Sequence, residues 1–63
     1  MKTFSIYAEA IAQSDDAILV EDEDGEEVWV PQSQIHDASE VWKKGDSGTL
    51  VVTEWIAIKK GWL

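Results

Sequence analysis

The 63-residue chain has no cysteine, no arginine and no asparagine, and only one proline and one histidine. Without cysteine there can be no disulfide, thiol nucleophile or thiolate metal site. Without arginine there is no bidentate fork for guanine or phosphate, and without asparagine no N-glycosylation acceptor. No apolar stretch exceeds the four residues of Ala17-Ile18-Leu19-Val20, far short of the ~20 residues of a membrane-spanning helix. The N-terminus, Met1-Lys2-Thr3-Phe4-Ser5, alternates instead of building the apolar core of a signal peptide. The expectation is a single domain over residues 1–63, cytoplasmic and without membrane contact.

Charge is the other scarcity. Five lysines stand against thirteen acids, giving a net charge of −8. The lysines form two pairs, Lys43-Lys44 and Lys59-Lys60, plus Lys2. Such a body repels phosphate backbones and anionic lipid, so direct nucleic-acid binding is disfavoured and a basic partner fits the sign better.

What is present reads as strands. Phe4, Ile6 and Ala8 alternate with Ser5, Tyr7 and Glu9, the period of a half-buried strand. Ala10 to Asp16 reads as an irregular or briefly helical connection. Ala17–Val20 and Val28-Trp29-Val30 flank Asp24-Gly25, the strongest hairpin signal in the chain. With Asp24-Gly25 as a two-residue loop, Glu23 faces Glu26, Asp22 faces Glu27, Val20 pairs with Trp29 and Leu19 with Val30. Pro31 closes that strand because it cannot donate to a ladder. Pro31-Gln32-Ser33-Gln34-Ile35 then reads as a single helical turn, with Ile35 plugging the core. Val41-Trp42 reads as a short strand, Lys43–Gly48 as a turn and Thr49–Thr53 as a strand. Thr53 is placed to N-cap a helix over Glu54–Lys60 with Gly61 at C′; Glu54 and the two lysines suit its dipole. Trp55, Ile58 and Trp62 would then lie near one face at i, i+3 and i+7, although a strand continuing through Ile58 is the competing reading. The expected fold is mainly β: a small antiparallel SH3-like or OB-like barrel of four to five strands with a short C-terminal helix.

The stretch Glu27-Val28-Trp29-Val30-Pro31-Gln32-Ser33-Gln34-Ile35, preceded by Ala17-Ile18-Leu19-Val20 and followed by Trp55-Ile56-Ala57-Ile58-Lys59-Lys60-Gly61, resembles small, mostly uncharacterised phage- and prophage-encoded proteins. Their strand reads E-V-W-[IV]-P-x-S-Q-I, after an A-[IL]-L-V strand and before a W-[IL]-A-x-K-K-G end. The resemblance covers residues 17 to 61. It implies a mobile-element origin and carries over no catalytic or binding residue.

Three groups of residues are candidates for function. Glu21, Asp22, Glu23, Asp24, Glu26 and Glu27 place six of the thirteen acids in seven positions. They read as a solvated hairpin tip, as a recognition surface for a basic partner, or as a weak divalent-cation site; an EF-hand register fails, with Val20 and Pro31 at ligand positions. Same-face carboxylates on a strand lie ~6.6 Å apart, a spacing suited to mimicry of a DNA backbone. Trp29, Trp42, Trp55 and Trp62 read either as the core of a small chain or, one or two of them, as an exposed contact patch. Trp42 and Trp62 lie beside lysine pairs, as a platform for stacked bases requires. His36-Asp37 reads as a surface or capping pair. No cofactor is implied, and one histidine with no cysteine offers no complete set for nucleophilic or zinc chemistry. The expectation is a non-enzymatic phage or mobile-element accessory protein that binds another protein, with Glu21 to Glu27, Trp29 and Trp42 as the contact surface. Its sharpest form is an acidic inhibitor or DNA mimic directed at a host nucleic-acid-binding or defence protein. The alternatives are a module binding single-stranded nucleic acid or a small ligand through exposed tryptophans, and a homo-oligomer.

Overall fold

The alternation at the N-terminus builds the central strand of the structure, a computed structural model that describes residues 2–63. β1 (Thr3–Gln13) turns Phe4, Ile6, Ala8 and Ala10 inward. It is longer than the sequence reading allowed. The supposed connection after Ala10 stays in the sheet because pairing with β2 (Ala17–Asp22) skips Ile11, between Ala10↔Val20 and Ala12↔Leu19. That bulge moves Ala12 to the outer face.

β3 (Glu27–Pro31) pairs with β2 in the register Glu21↔Glu27, Val20↔Val28, Leu19↔Trp29 and Ile18↔Val30. The expected two-residue loop is therefore corrected, and with it all four expected pairings. The loop holds three residues, Glu23-Asp24-Gly25: the Asp22 amide donates to the Glu26 carbonyl (3.0 Å), the Gly25 amide to the Asp22 carbonyl (3.0 Å), and Gly25 sits at φ 84°. This is a type I turn followed by a left-handed residue. A one-residue change in register exchanges the faces of a strand, so Val28 and Val30 point inward and Trp29 outward.

The chain then crosses to the far side of β1. A 3₁₀ turn (Gln32–Gln34) delivers Ile35 into the core, where it bridges to Val52. β4 (Ser47–Thr53) pairs with β1 from Thr3↔Thr53 to Glu9↔Ser47. The four antiparallel strands form one open sheet in the order β3-β2-β1-β4. The outer edge of β4 is taken by the crossing segment: the His36 amide donates to the Val51 carbonyl (2.8 Å) and the Glu40 amide to the Thr49 carbonyl (2.9 Å). Buried Ser39 completes this seam. Its Oγ accepts from the Val41 and Val51 amides and donates to the Val41 carbonyl, each at 3.1 Å. Val41 is fully buried, but Val41-Trp42 is irregular backbone and not the strand expected.

The C-terminal segment is helical. Thr53 Oγ1 accepts from the Ile56 amide (3.3 Å) to cap α1 (Glu54–Lys59), and Gly61 takes φ 83° after Lys60. The buried face differs from the one expected. Ile56 and Ala57 enter the core, whereas Trp55 and Ile58 are exposed. The helix is under two turns long, and it is entered through the bond from the Glu54 amide to the Lys2 carbonyl (3.0 Å). Trp62 instead stacks on Phe4, with ring centroids 6.3 Å apart.

The core also differs from expectation. Ile18, Val20, Val30, Val41, Leu50 and Val52 are fully buried, while Trp29, Trp42 and Trp55 are 46%, 36% and 56% exposed and Trp62 is half-buried. Branched aliphatics, each worth about 1.5–3 kcal/mol on burial, fill the interior. Among the described residues no helix is long and apolar enough to cross a membrane.

Ser39 gives a sharp stability test. Ser39→Ala orphans the Val41 and Val51 amides, at about 1–3 kcal/mol for each buried unmet group. Urea unfolding followed by tryptophan fluorescence should show a loss of about 2–4 kcal/mol; a loss below about 1 kcal/mol would mean that the seam does not hold the crossing segment.

Candidate binding surface

The acids of the hairpin divide into two kinds once the loop is placed. Asp22 is structural. Its Oδ1 accepts from the Asp24 amide (2.9 Å) and the Glu26 amide (3.0 Å), and its Oδ2 accepts from the Trp62 indole N–H (3.4 Å). Aspartate suits this post because a short acceptor can reach the amide two residues on. Glu23, Asp24 and Glu26 are freed by that turn and stand exposed at its tip.

Glu21 and Glu27 belong to the strands. They are directly opposite each other, and Glu21 is also opposite Glu9 of β1. Three glutamates therefore lie in one row across the outer face, with neighbouring strands ~4.8 Å apart. Among the described residues the one salt bridge is Lys43–Asp46 at 3.1 Å, so no cation pairs with this row. Like charges directly opposite destabilise a sheet by a few tenths to about 1 kcal/mol per pair. The adjoining row is apolar: Ala12, Leu19 and Trp29. Trp29 is thus an exposed indole on an edge strand, one row from three unneutralised carboxylates. Sequence reading missed Glu9, because its place beside Glu21 depends on the β1–β2 register.

Trp42 lies elsewhere. Its indole N–H donates to the Ser39 carbonyl (2.8 Å) and its own carbonyl accepts from Gln32 Nε2 (3.3 Å). Gln32 and Glu26 are at opposite ends of β3, six residues or ~20 Å of strand apart. The structure brings Glu21, Glu27 and Trp29 together with the tip and leaves Trp42 on the crossing segment. There it packs into a turn organised by Asp46, whose Oδ2 accepts from the Trp42 (3.0 Å) and Lys43 (3.1 Å) amides. Those bonds, that to Trp42 foremost and then the Lys43 ammonium, hold the Asp46 carboxyl below the usual aspartate range.

The remaining candidates are simpler. Among the described residues no three His, Asp or Glu side chains converge as a metal site would require. His36 is exposed, and its Nδ1 accepts from the Ala38 amide (3.0 Å), a local cap. Lysine and tryptophan do meet at α1, where Lys59 Nζ lies 4.8 Å from the Trp55 ring. Beside them is an open depression of about 360 Å³ lined by Lys2, Gln34, Thr53, Glu54 and Trp55.

Two outcomes follow from this geometry. Glu21→Gln removes the middle charge of the row and should raise stability by a few tenths to about 1 kcal/mol in low-salt urea titrations. The gain should shrink as salt screens the row in both proteins, and an unchanged or lowered midpoint would mean that the carboxylates do not repel. For Asp46 the sign is that of a depressed acid: its support for the turn is present above the ordinary aspartate range and is lost as pH falls through its lowered folded value. The Trp42 and Lys43 amide resonances should therefore hold their shifts until the pH falls below the ordinary aspartate range, and Asp46→Asn should abolish that late step.

Compared with protein-family models, curated proteins and solved structures, the chain matches none.

Proposed function

We propose that this chain is a non-enzymatic binding protein of mobile-element origin that uses the outer face of its β2–β3 hairpin to contact a basic surface on another protein. The observation that carries this reading is the row Glu9–Glu21–Glu27, unneutralised and adjoining exposed Trp29. A row of like charges costs folding energy, and a cationic partner recovers it on binding. An exposed tryptophan supplies the desolvated anchor that protein interfaces concentrate their energy on. The net charge of −8 adds long-range attraction toward the same partner. In its sharpest form the partner is a host protein of defence or nucleic-acid handling, met in the cytoplasm, whose basic site the acidic face occupies in place of a phosphate backbone. The mimicry differs in detail from a spacing along one strand, because the carboxylates run across strands.

The finer fold assignment belongs with this reading. The return of Ile35 to Val52 beyond β4 supports a small SH3-like or OB-like barrel. A rigid scaffold of that type presents its hairpin without a large ordering cost.

A second reading is favoured by the Trp55–Lys59 pair and the adjoining depression with Lys2. Aromatic and positive charge together suit a stacked base or a small anionic ligand. This patch, not Trp42 or Trp62, is where that alternative resides, since Lys43 is paired with Asp46 and Trp62 is stacked on Phe4.

Capture from host lysate distinguishes these readings. Glu23→Lys/Asp24→Lys/Glu26→Lys and Trp29→Ala should each lose the partners that the wild-type chain retains. Recovery of the same partners by both variants would sink the hairpin interface. Fluorescence titration with a single-stranded oligonucleotide at low salt should leave tryptophan emission unchanged; quenching that Trp55→Ala abolishes would favour the second reading.

A further inference from the structure

The edge of β3 is open. In an antiparallel ladder, positions whose N–H and C=O meet the neighbouring strand alternate with positions whose groups point the other way. The bonds Asp22 N–H to Glu26 (3.0 Å) and Gln32 N–H to Asp16 (2.8 Å) place residues 26, 28, 30 and 32 in the first class. Glu27, Trp29 and Pro31, opposite Glu21, Leu19 and Ala17, are therefore in the second. β3 ends the sheet, and none of the turn, loop or cap hydrogen bonds among the described residues uses the backbone of Glu27 or Trp29. The other edge of the sheet is covered by residues 35 to 40, so β3 is where a further strand can add.

We propose that β3 binds its partner by strand addition: an extended, basic segment of a partner protein pairs antiparallel with Glu27–Trp29 and becomes a fifth strand. The proposal rests on the basic-partner reading above and names how the partner is held. Strand addition takes affinity from main-chain bonds and specificity from alternate side chains. Here both are specified. The guest residue opposite Glu27 continues the row Glu9–Glu21–Glu27 and must be lysine or arginine to neutralise it. The guest residue opposite Trp29 lies on the same face and meets an exposed indole, which an arginine or an apolar side chain covers. Pro31 has no N–H, so the paired stretch is short.

A second copy of the chain is the rival occupant, and charge opposes it: each copy carries −8 and brings the same unneutralised glutamates to the edge. Charged residues and proline on an edge are common guards against indiscriminate pairing. An edge guarded by glutamate rejects acidic and self strands, yet admits a basic one.

The probe is a capped synthetic heptapeptide in which lysine and arginine alternate with valine, titrated into the full chain at low salt. Binding should slow hydrogen exchange at the Glu27 and Trp29 amides and leave the Val28 and Val30 amides, already paired with β2, unchanged. In an antiparallel guest the cationic residues turn their N–H groups toward β3 and the valines turn theirs away. N-methylation of the cationic residues should therefore weaken binding at least about tenfold, whereas N-methylation of the valines should weaken it far less. Equal binding by both methylated peptides would overturn strand addition while leaving the acidic-surface reading standing. No binding by any of the peptides would overturn both. Protection of the Glu27 and Trp29 amides without peptide, growing with protein concentration, would assign the edge to a second copy and overturn the proposal.

Discussion

The two hydrogen bonds that Asp22 Oδ1 accepts from the Asp24 and Glu26 amides set the geometry on which the outer surface depends. They stabilise a three-residue loop, and a three-residue loop sets the β2–β3 register. That register sends Val28 and Val30 inward and Trp29 outward, and aligns Glu21 with Glu27. Because side chains alternate with period two, a loop shorter by one residue would bury the indole and expose two valines. One carboxylate of the acidic run thus decides where the others stand.

The same economy appears in the core. Among the described residues twelve apolar side chains are buried, all of them aliphatic, and two pieces of chain outside the strands close over the inner face of the sheet. Ile35 and Val41 come from the crossing segment, held to β4 through Ser39, and Ile56 and Ala57 from a capped helix. A chain of this length has a thin stability margin. Against that margin the unneutralised glutamate row is a cost, and it is the cost that the proposed basic partner recovers.

Much of the fold was legible in the sequence because its signals are local. The alternation of Phe4, Ile6 and Ala8, the Pro31 stop, the single turn ending at Ile35, the Thr53 cap and the Gly61 terminator each rest on contacts within a few residues, and each appears in the structure. The expectations that differed depend on partners far along the chain. The Ile11 bulge is visible only against β2, the irregular path of Val41-Trp42 only against Ser39 and β4, and the buried face of α1 only against the core that Ile56 and Ala57 enter. In the site, the exposed tip of Glu23, Asp24 and Glu26 was evident from the charge run. The row through Glu9 was not, nor was the separation of Trp42 from the hairpin.

By itself, then, the sequence determined the charge, the strand-rich pattern, the turns and the helix cap, because composition, period and capping chemistry are read residue by residue. Tertiary structure alone decided which tryptophans face solvent, which glutamates align and which sheet edge stays open. Those are matters of register and coverage, and a one-residue change in a loop reverses them without altering any local propensity.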